Sequence, residues 1–403
     1  MKTLRKINGL VIVFHIIIAL LLGSCKISQL INYKKHELFE TNNKFIHIEA
    51  TEQPKIDVTF QSGETGRLAL DLGAGTTILM QNTGIKHLDT LKPVLAFGKY
   101  ISADNKKEKI TYFKVGNIES EGFSMKNTFL PVIPDIINNP CRNIDGFIGA
   151  DVFEGKTLVL RFEDATLAVL DSLPETKGWT VVESDYRFPY FYIFIKIGNE
   201  SIKLLLDTGS SSDIVLSSES FRNIRNNLNP FLRDSSVVFG SSFTTATGII
   251  EDSTYIYNYD LGHLGELPVT TPRIIVSEKM RRNTIGVQTL RRFNIMLDFD
   301  AHKVYMQPNL KWRESKNGKG LQEKGLYLRI ANNESIIVTS IKMNSIASTK
   351  GIQIGDEILS INDISVDQED KCSVLEKFEA MEWKSHTNVV TVKRNENVLK
   401  FEI

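Results

Sequence analysis

The 403-residue chain has no surplus charge of either sign, with Lys+Arg and Asp+Glu at 48 each. Such a balance gives no global field of the kind that draws nucleic acid or an anionic surface. Nucleic acid is therefore not an expected partner. Histidine is sparse and scattered, seven in all, with no HExxH and no Cys-His cluster at ligand spacing. No metal site and no cofactor are expected. Serine-protease chemistry is disfavoured, because no GxSxG or GDSGG-like stretch occurs. Cysteine is scarcer still: Cys25, Cys141 and Cys372. The last two are 231 positions apart and fall in different segments, so buried thiols are expected rather than a disulfide or a catalytic pair. No low-complexity tract interrupts the chain, and its length predicts two to three domains, each with its own core.

An apolar run long enough for a stable membrane span is also missing from the N-terminus. Lys2, Arg5 and Lys6 precede LVIVFHIIIALLL (10–22), 13 residues interrupted by His15. That length suits an export signal better than a span. The following Leu22-Gly23-Ser24-Cys25 resembles the bacterial lipoprotein box, which implies lipidation of Cys25 and a membrane anchor on an exported, envelope-side protein. A signal anchor or plain signal peptide with an accidental cysteine is the alternative.

What the chain does have is a repeat. LALDLGAGTTILM (68–80) aligns without a gap on LLLDTGSSSDIVL (204–216), placing Asp71 on Asp207, Gly73 on Gly209 and Ile78 on Ile214. Alternating apolar segments with a Gly or Asn turn precede both, KIDVTFQSGETGRLAL (55–70) and YIFIKIGNESIKLLL (192–206), a pattern that predicts hairpins. Downstream, GFIGADVFEGKTLVLRFEDATLAVL (146–170) parallels NTIGVQTLRRFNIMLDFDAHKVYM (283–306). Asp71 to Gly149 is 78 positions and Asp207 to Gly286 is 79, so two copies of one fold are expected. Between these landmarks, 94–115 and 237–257 each read as a long hairpin arm with a Phe-Gly pair, Phe97-Gly98 and Phe239-Gly240.

Beyond the polar stretch 311–324 the character changes. SIASTKGIQIGDEILSIND (345–363), with its small-residue helix start and Gly-x-x-x-Gly-Asp turn at 351–356, resembles a PDZ domain. That resemblance implies a small β-barrel or sandwich with two helices and capture of a peptide C-terminus by strand addition. It makes Lys324-Gly325-Leu326-Tyr327-Leu328 the carboxylate-binding loop.

An aspartate that ends an apolar strand is held rigidly, and the glycine two residues on permits a sharp turn and a close neighbour. Two such carboxylates meeting at an approximate two-fold axis share one proton, giving one acid and one base. Asp-Thr-Gly-Ser-Ser at 207–211, with Thr284-Ile285-Gly286, and Asp71-Leu72-Gly73-Ala74, with Phe147-Ile148-Gly149, resemble the active-site signature of bacterial two-lobed, retropepsin-like aspartic proteases. The resemblance implies a mostly β fold of two related β-barrel lobes. Asp71 and Asp207 become the catalytic dyad, and Gly73, Ala74, Gly209 and Ser210 shape its loops. Thr208 supplies a hydroxyl grip between lobes, and Ser210 a donor to Asp207 that makes Asp207 the readier anion and Asp71 the proton carrier. Phe97, Gly98, Phe239 and Gly240 mark flaps. Leu72 departs from the pattern, since it has no hydroxyl for its half of the grip.

The expected organisation is a signal peptide at 1–25, a tether at 26–44, lobes at 45–172 and 176–310, a linker at 311–322 and a PDZ domain at 323–403. Three functions stay open: an aspartic endopeptidase whose PDZ domain recruits substrate or regulates the cleft, a pseudoprotease that binds peptides without cutting, and an envelope scaffold. Peptides or proteins are the expected partners in each.

Overall fold

The computed structural model describes residues 37–403 and Ser28, apart from residues 51, 82, 102–105, 135–140, 142, 246–247, 314–318, 332–334, 369 and 382–387. The signal sequence and Cys25 lie outside the described residues. The chain is mostly strand. The first half contributes β1 (Lys55–Phe60), β2 (Thr65–Asp71), β3 (Ile78–Gln81), β4 (Pro93–Ile101), β5 (Lys107–Glu119), β6 (Phe123–Pro134) and β7 (Gly146–Gly149). The second contributes β8 (Tyr190–Ile197), β9 (Glu200–Leu206), β10 (Ile214–Ser217), β11 (Leu232–Thr245), β12 (Gly248–Tyr259), β13 (Arg273–Ser277) and β14 (Thr284–Ile285).

The two halves repeat one topology. The order β6-β3-β7-β2-β1 in the first is matched by β13-β10-β14-β9-β8 in the second. In both, the strand that leads to the aspartate runs parallel to the short glycine strand: Asp71 faces Gly149, and Leu206 faces Ile285. Antiparallel to that short strand lies the one following the aspartate, with Ile78 opposite Phe147 and Ile214 opposite Ile285. β1 also pairs with β5, which curls the first sheet towards a barrel. Both predicted hairpins form, and Gly63 (φ +87°) and Gly198 (φ +57°) sit in their turns. Glycine is needed there because a side chain clashes at positive φ.

A further six-stranded sheet joins the halves, through Leu158 opposite Leu297 and Leu160 opposite Ile295. Its strands carry buried, continuous apolar runs because the sheet lies between the halves. One core therefore runs through both, including Leu68, Leu70 and Ile148 from the first and Leu204, Leu206 and Ile285 from the second. The expected tether is in part structural, since Leu38–Thr41 pairs with β6 as an edge strand.

The C-terminal module has its own core, built from Leu326, Ile330, Val338, Ile358, Val374, Phe378 and Val390 among others. Its strands are β15 (Leu326–Ala331), β16 (Ser335–Lys342), β17 (Glu357–Ile361), β18 (Val389–Arg394) and β19 (Asn397–Glu402). The expected linker is partly a helix, Lys319–Lys324, because Leu321 is buried in this core. A strand pairing and a disulfide are among the contacts that fasten the module to the halves. β16 pairs with β11, Phe239 opposite Ile341. Cys141 and Cys372 form a disulfide with Cα atoms 5.3 Å apart, which overturns the expectation of separate thiols. Separation in sequence does not bound separation in space: helix Lys371–Ala380, which carries Cys372, faces the first half, where Glu379 feels the charge of Glu52.

Candidate active site

The leucines that bring Asp207 to its place, Leu204, Leu205 and Leu206, are fully buried. Burial fixes β9, so its terminal carboxylate cannot wander. Asp71 Oδ1 accepts the N–H groups of Gly73 and Ala74, each at 3.0 Å. Asp207 Oδ1 accepts the Ser210 N–H at 3.1 Å, and the Gly209 amide also bonds this carboxylate. The Ser210 hydroxyl does something else: it accepts the Ser212 N–H at 3.3 Å. The expected hydroxyl donor to Asp207 is thus replaced by backbone, because the turn already aims its amides at the carboxylate.

The two loops are interlocked. A Cβ on Gly73 would lie 2.5 Å from the Asp207 carboxyl carbon, and one on Gly209 would overlap the Asp71 carboxyl group. Each glycine therefore leaves room for the opposite aspartate, and the two carboxylates converge. Thr208, fully buried, donates its hydroxyl to the Leu70 carbonyl at 2.8 Å and accepts the Leu72 N–H at 3.0 Å. Leu72, packed into the core, has no hydroxyl with which to return the contact. The distal glycines complete the pattern. A Cβ on Gly149 would strike Thr76, and one on Gly286 would strike the Ser212 and Ser210 carbonyls. Equivalent bonds tie the next residues back, Ala150 N–H to Ala74 at 3.0 Å and Val287 N–H to Ser210 at 2.8 Å.

Burial, and then the charge of Asp71, push the Asp207 carboxyl up to about 8, against the pull of the Gly209 and Ser210 amides and of Arg282. Like charges cannot both persist in an enclosed site, so the pair keeps one proton at neutral pH. The pair shares that proton, and its titration belongs to both carboxyls together. Three contributors carried no recognisable signal in the sequence. Gln53 donates its amide to the Gly209 carbonyl, Tyr190 sets its hydroxyl against Gly75, and Arg282 lies over the Tyr190 ring at 5.5 Å. All lie outside the two aspartate motifs, and the fold alone gathers them.

The C-terminal module shows its own landmarks. Ser345 caps helix Ile346–Lys350 by accepting the Ser348 N–H at 3.2 Å, and Gly351 ends that helix at φ +91°. Asp356 is buried and receives Arg394 at 2.6 and 2.7 Å. Residues 313–393 match the PDZ domain family. The module is a PDZ domain. No curated protein matches the chain. A PDZ domain suggests interaction with protein or peptide.

Of the expected carboxylate loop, only Gly325 forms the turn; Lys324 ends the helix Lys319–Lys324, and Leu326, Tyr327 and Leu328 already belong to β15. Leu326 is wholly buried in the PDZ core, and this pins the start of the strand. The Gly325 amide is engaged with the Gln322 carbonyl at 3.1 Å, and Tyr327 hydrogen-bonds the Arg273 side chain of the second half. The flap assignment also changes. Phe239 and Gly240 lie within β11, bonded to β16 of the PDZ domain, and Gly240 adopts φ +112° with the Thr339 carbonyl where a Cβ would be. A glycine here serves close strand approach rather than closure over a cleft. Phe97 and Gly98 fall in β4, where pairing with β5 slips between Ala96 and Lys99. The tip of that arm, 102–105, lies outside the described residues.

Proposed function

We propose that the two halves are the lobes of a retropepsin-like aspartic endopeptidase, with Asp71 and Asp207 as its dyad. One observation carries the reading: two carboxylates at equivalent points of a duplicated topology, each seated against the other's glycine loop. In this reading the dyad holds a water between its carboxyl groups. Ionised Asp71 takes a proton from that water as it attacks the scissile carbonyl, and protonated Asp207 hydrogen-bonds the carbonyl oxygen and supplies the proton needed for amide cleavage. The PDZ domain recruits substrate or regulates the cleft. The disulfide fits an oxidising, exported location, in keeping with a lipid anchor on Cys25.

The one-sided grip favours a second reading. With Leu72 in place of a hydroxyl residue, the lobes would hold extended peptides without cutting them. Both readings meet one test: the chain from residue 26 onwards, with Asp71→Asn and Asp207→Asn, assayed on a denatured-protein mixture from acid to neutral pH. Cleavage by wild type and loss in both variants is expected. Cleavage that survives Asp71→Asn sinks the dyad, and no cleavage by wild type at any pH shifts the function to binding.

A further inference from the structure

A cavity of about 290 Å³ lies where the second lobe meets the PDZ domain. Ser212 lines it from the loop that carries Asp207, Val238 and Ile256 from the β11–β12 arm, Arg273 from β13, and Tyr327 and Arg329 from β15. Its size is at the small end of ligand pockets, about 300–1,000 Å³, and suits a side chain or a chain end rather than a whole peptide.

Two arginines line this cavity. Arg273 donates to the Tyr327 hydroxyl and stands 3.9 Å from Asp213. Burial pushes the Asp213 carboxyl up, against the pull of Arg273 and Arg292. Among the described residues, the buried Arg329 Nε has no hydrogen-bond partner. A buried donor left without an acceptor is unfavourable. The walls thus combine apolar surface with two arginines, the complement of a carboxylate attached to an apolar body.

We propose that this cavity is a subsite of the peptide cleft that receives a carboxylate of the bound chain, either an acidic side chain or the chain terminus, and that Arg329 of the PDZ domain determines this specificity. The proposal rests on the lobes forming a peptide-binding cleft, but it does not need them to cut. A PDZ strand would then select substrate by its outer face, from beside the loop that carries Asp207.

The test uses the full chain carrying Asp207→Asn, so that bound peptide stays intact. The probes are fluorescein-labelled random decapeptide pools with one position at a time fixed as Glu or as Gln, each pool made with a free and an amidated C-terminus. Fluorescence anisotropy is expected to show at least about tenfold tighter binding of one Glu pool, or of free over amidated ends, the size of one charge-assisted hydrogen bond. Arg329→Gln should bring the paired pools within about twofold, while Arg329→Lys keeps part of the preference and controls for folding. Equal binding of acid and amide pools overturns the proposal, as does no binding of any pool. So does a terminal preference that survives Arg329→Gln but is lost in Gly325→Val, since that belongs to the PDZ bend. Loss of the catalytic reading leaves a positive result standing, and cleavage without carboxylate preference removes this proposal alone.

Discussion

Thr208 shows how much one side chain can hold. Its hydroxyl satisfies a carbonyl and an amide of the opposite lobe, both beside Asp71. Thr208→Val keeps the shape and deletes both bonds, leaving a buried N–H and a buried C=O at about 1–3 kcal/mol each. The thermal midpoint should fall clearly in Thr208→Val and stay near wild type in Thr208→Ser, as read by calorimetry. The raised Asp207 carboxyl sets a pH dependence. The folded state binds its proton more tightly than the unfolded chain, so this group's contribution is full below the usual carboxylate range and is lost as pH rises towards about 8. Wild type should lose stability across that window relative to Asp207→Asn, a difference measurable by denaturant titration at each pH. If the chain cleaves peptides, activity should be bell-shaped in pH, set by the pair of carboxyls, with loss on the alkaline side near 8. Ser210→Ala should leave that profile unchanged, because the donors to Asp207 are the Gly209 and Ser210 amides.

At the scale of elements, the strand β11 carries two loads. It forms the arm with β12 and extends the PDZ sheet by pairing with β16. Gly240 makes the second pairing sterically possible, since its positive φ and missing Cβ admit the Thr339 carbonyl. A side chain there forces the strands apart. In Gly240→Val, amide hydrogen exchange should quicken at Val238–Gly240 and at Ser340–Lys342, while β8 and β9 keep their protection. Unchanged exchange at both segments would mean that the two sheets do not depend on that contact.

For the molecule as a whole, the PDZ domain is fastened to both halves: by strand pairing to the second and by Cys141–Cys372 to the first. The loop closed by this bond spans 231 residues, so the unfolded chain is strongly constrained. Reduction, or Cys141→Ser, should lower stability by about 2–5 kcal/mol. Protease digestion should then release the PDZ domain from the lobes sooner than in the oxidised chain. Identical digestion of the two forms would show that strand pairing alone fixes the domain.

Local patterns determined a great deal. Period-two alternation gave the hairpins, and the paired Asp-x-Gly stretches with their distal glycines gave the duplicated topology, because burial and turn sterics act within a few residues. The Gly-x-x-x-Gly-Asp turn likewise marked the PDZ domain. What only the tertiary structure decided are relations across long separations: which thiol meets Cys141, what Gly240 makes room for, how Arg273 and Arg329 come to line one cavity, and why the Asp207 carboxyl is pushed up. The last depends on desolvation and on a neighbouring charge 136 positions away, and neither is a property of the residues beside Asp207 in the chain.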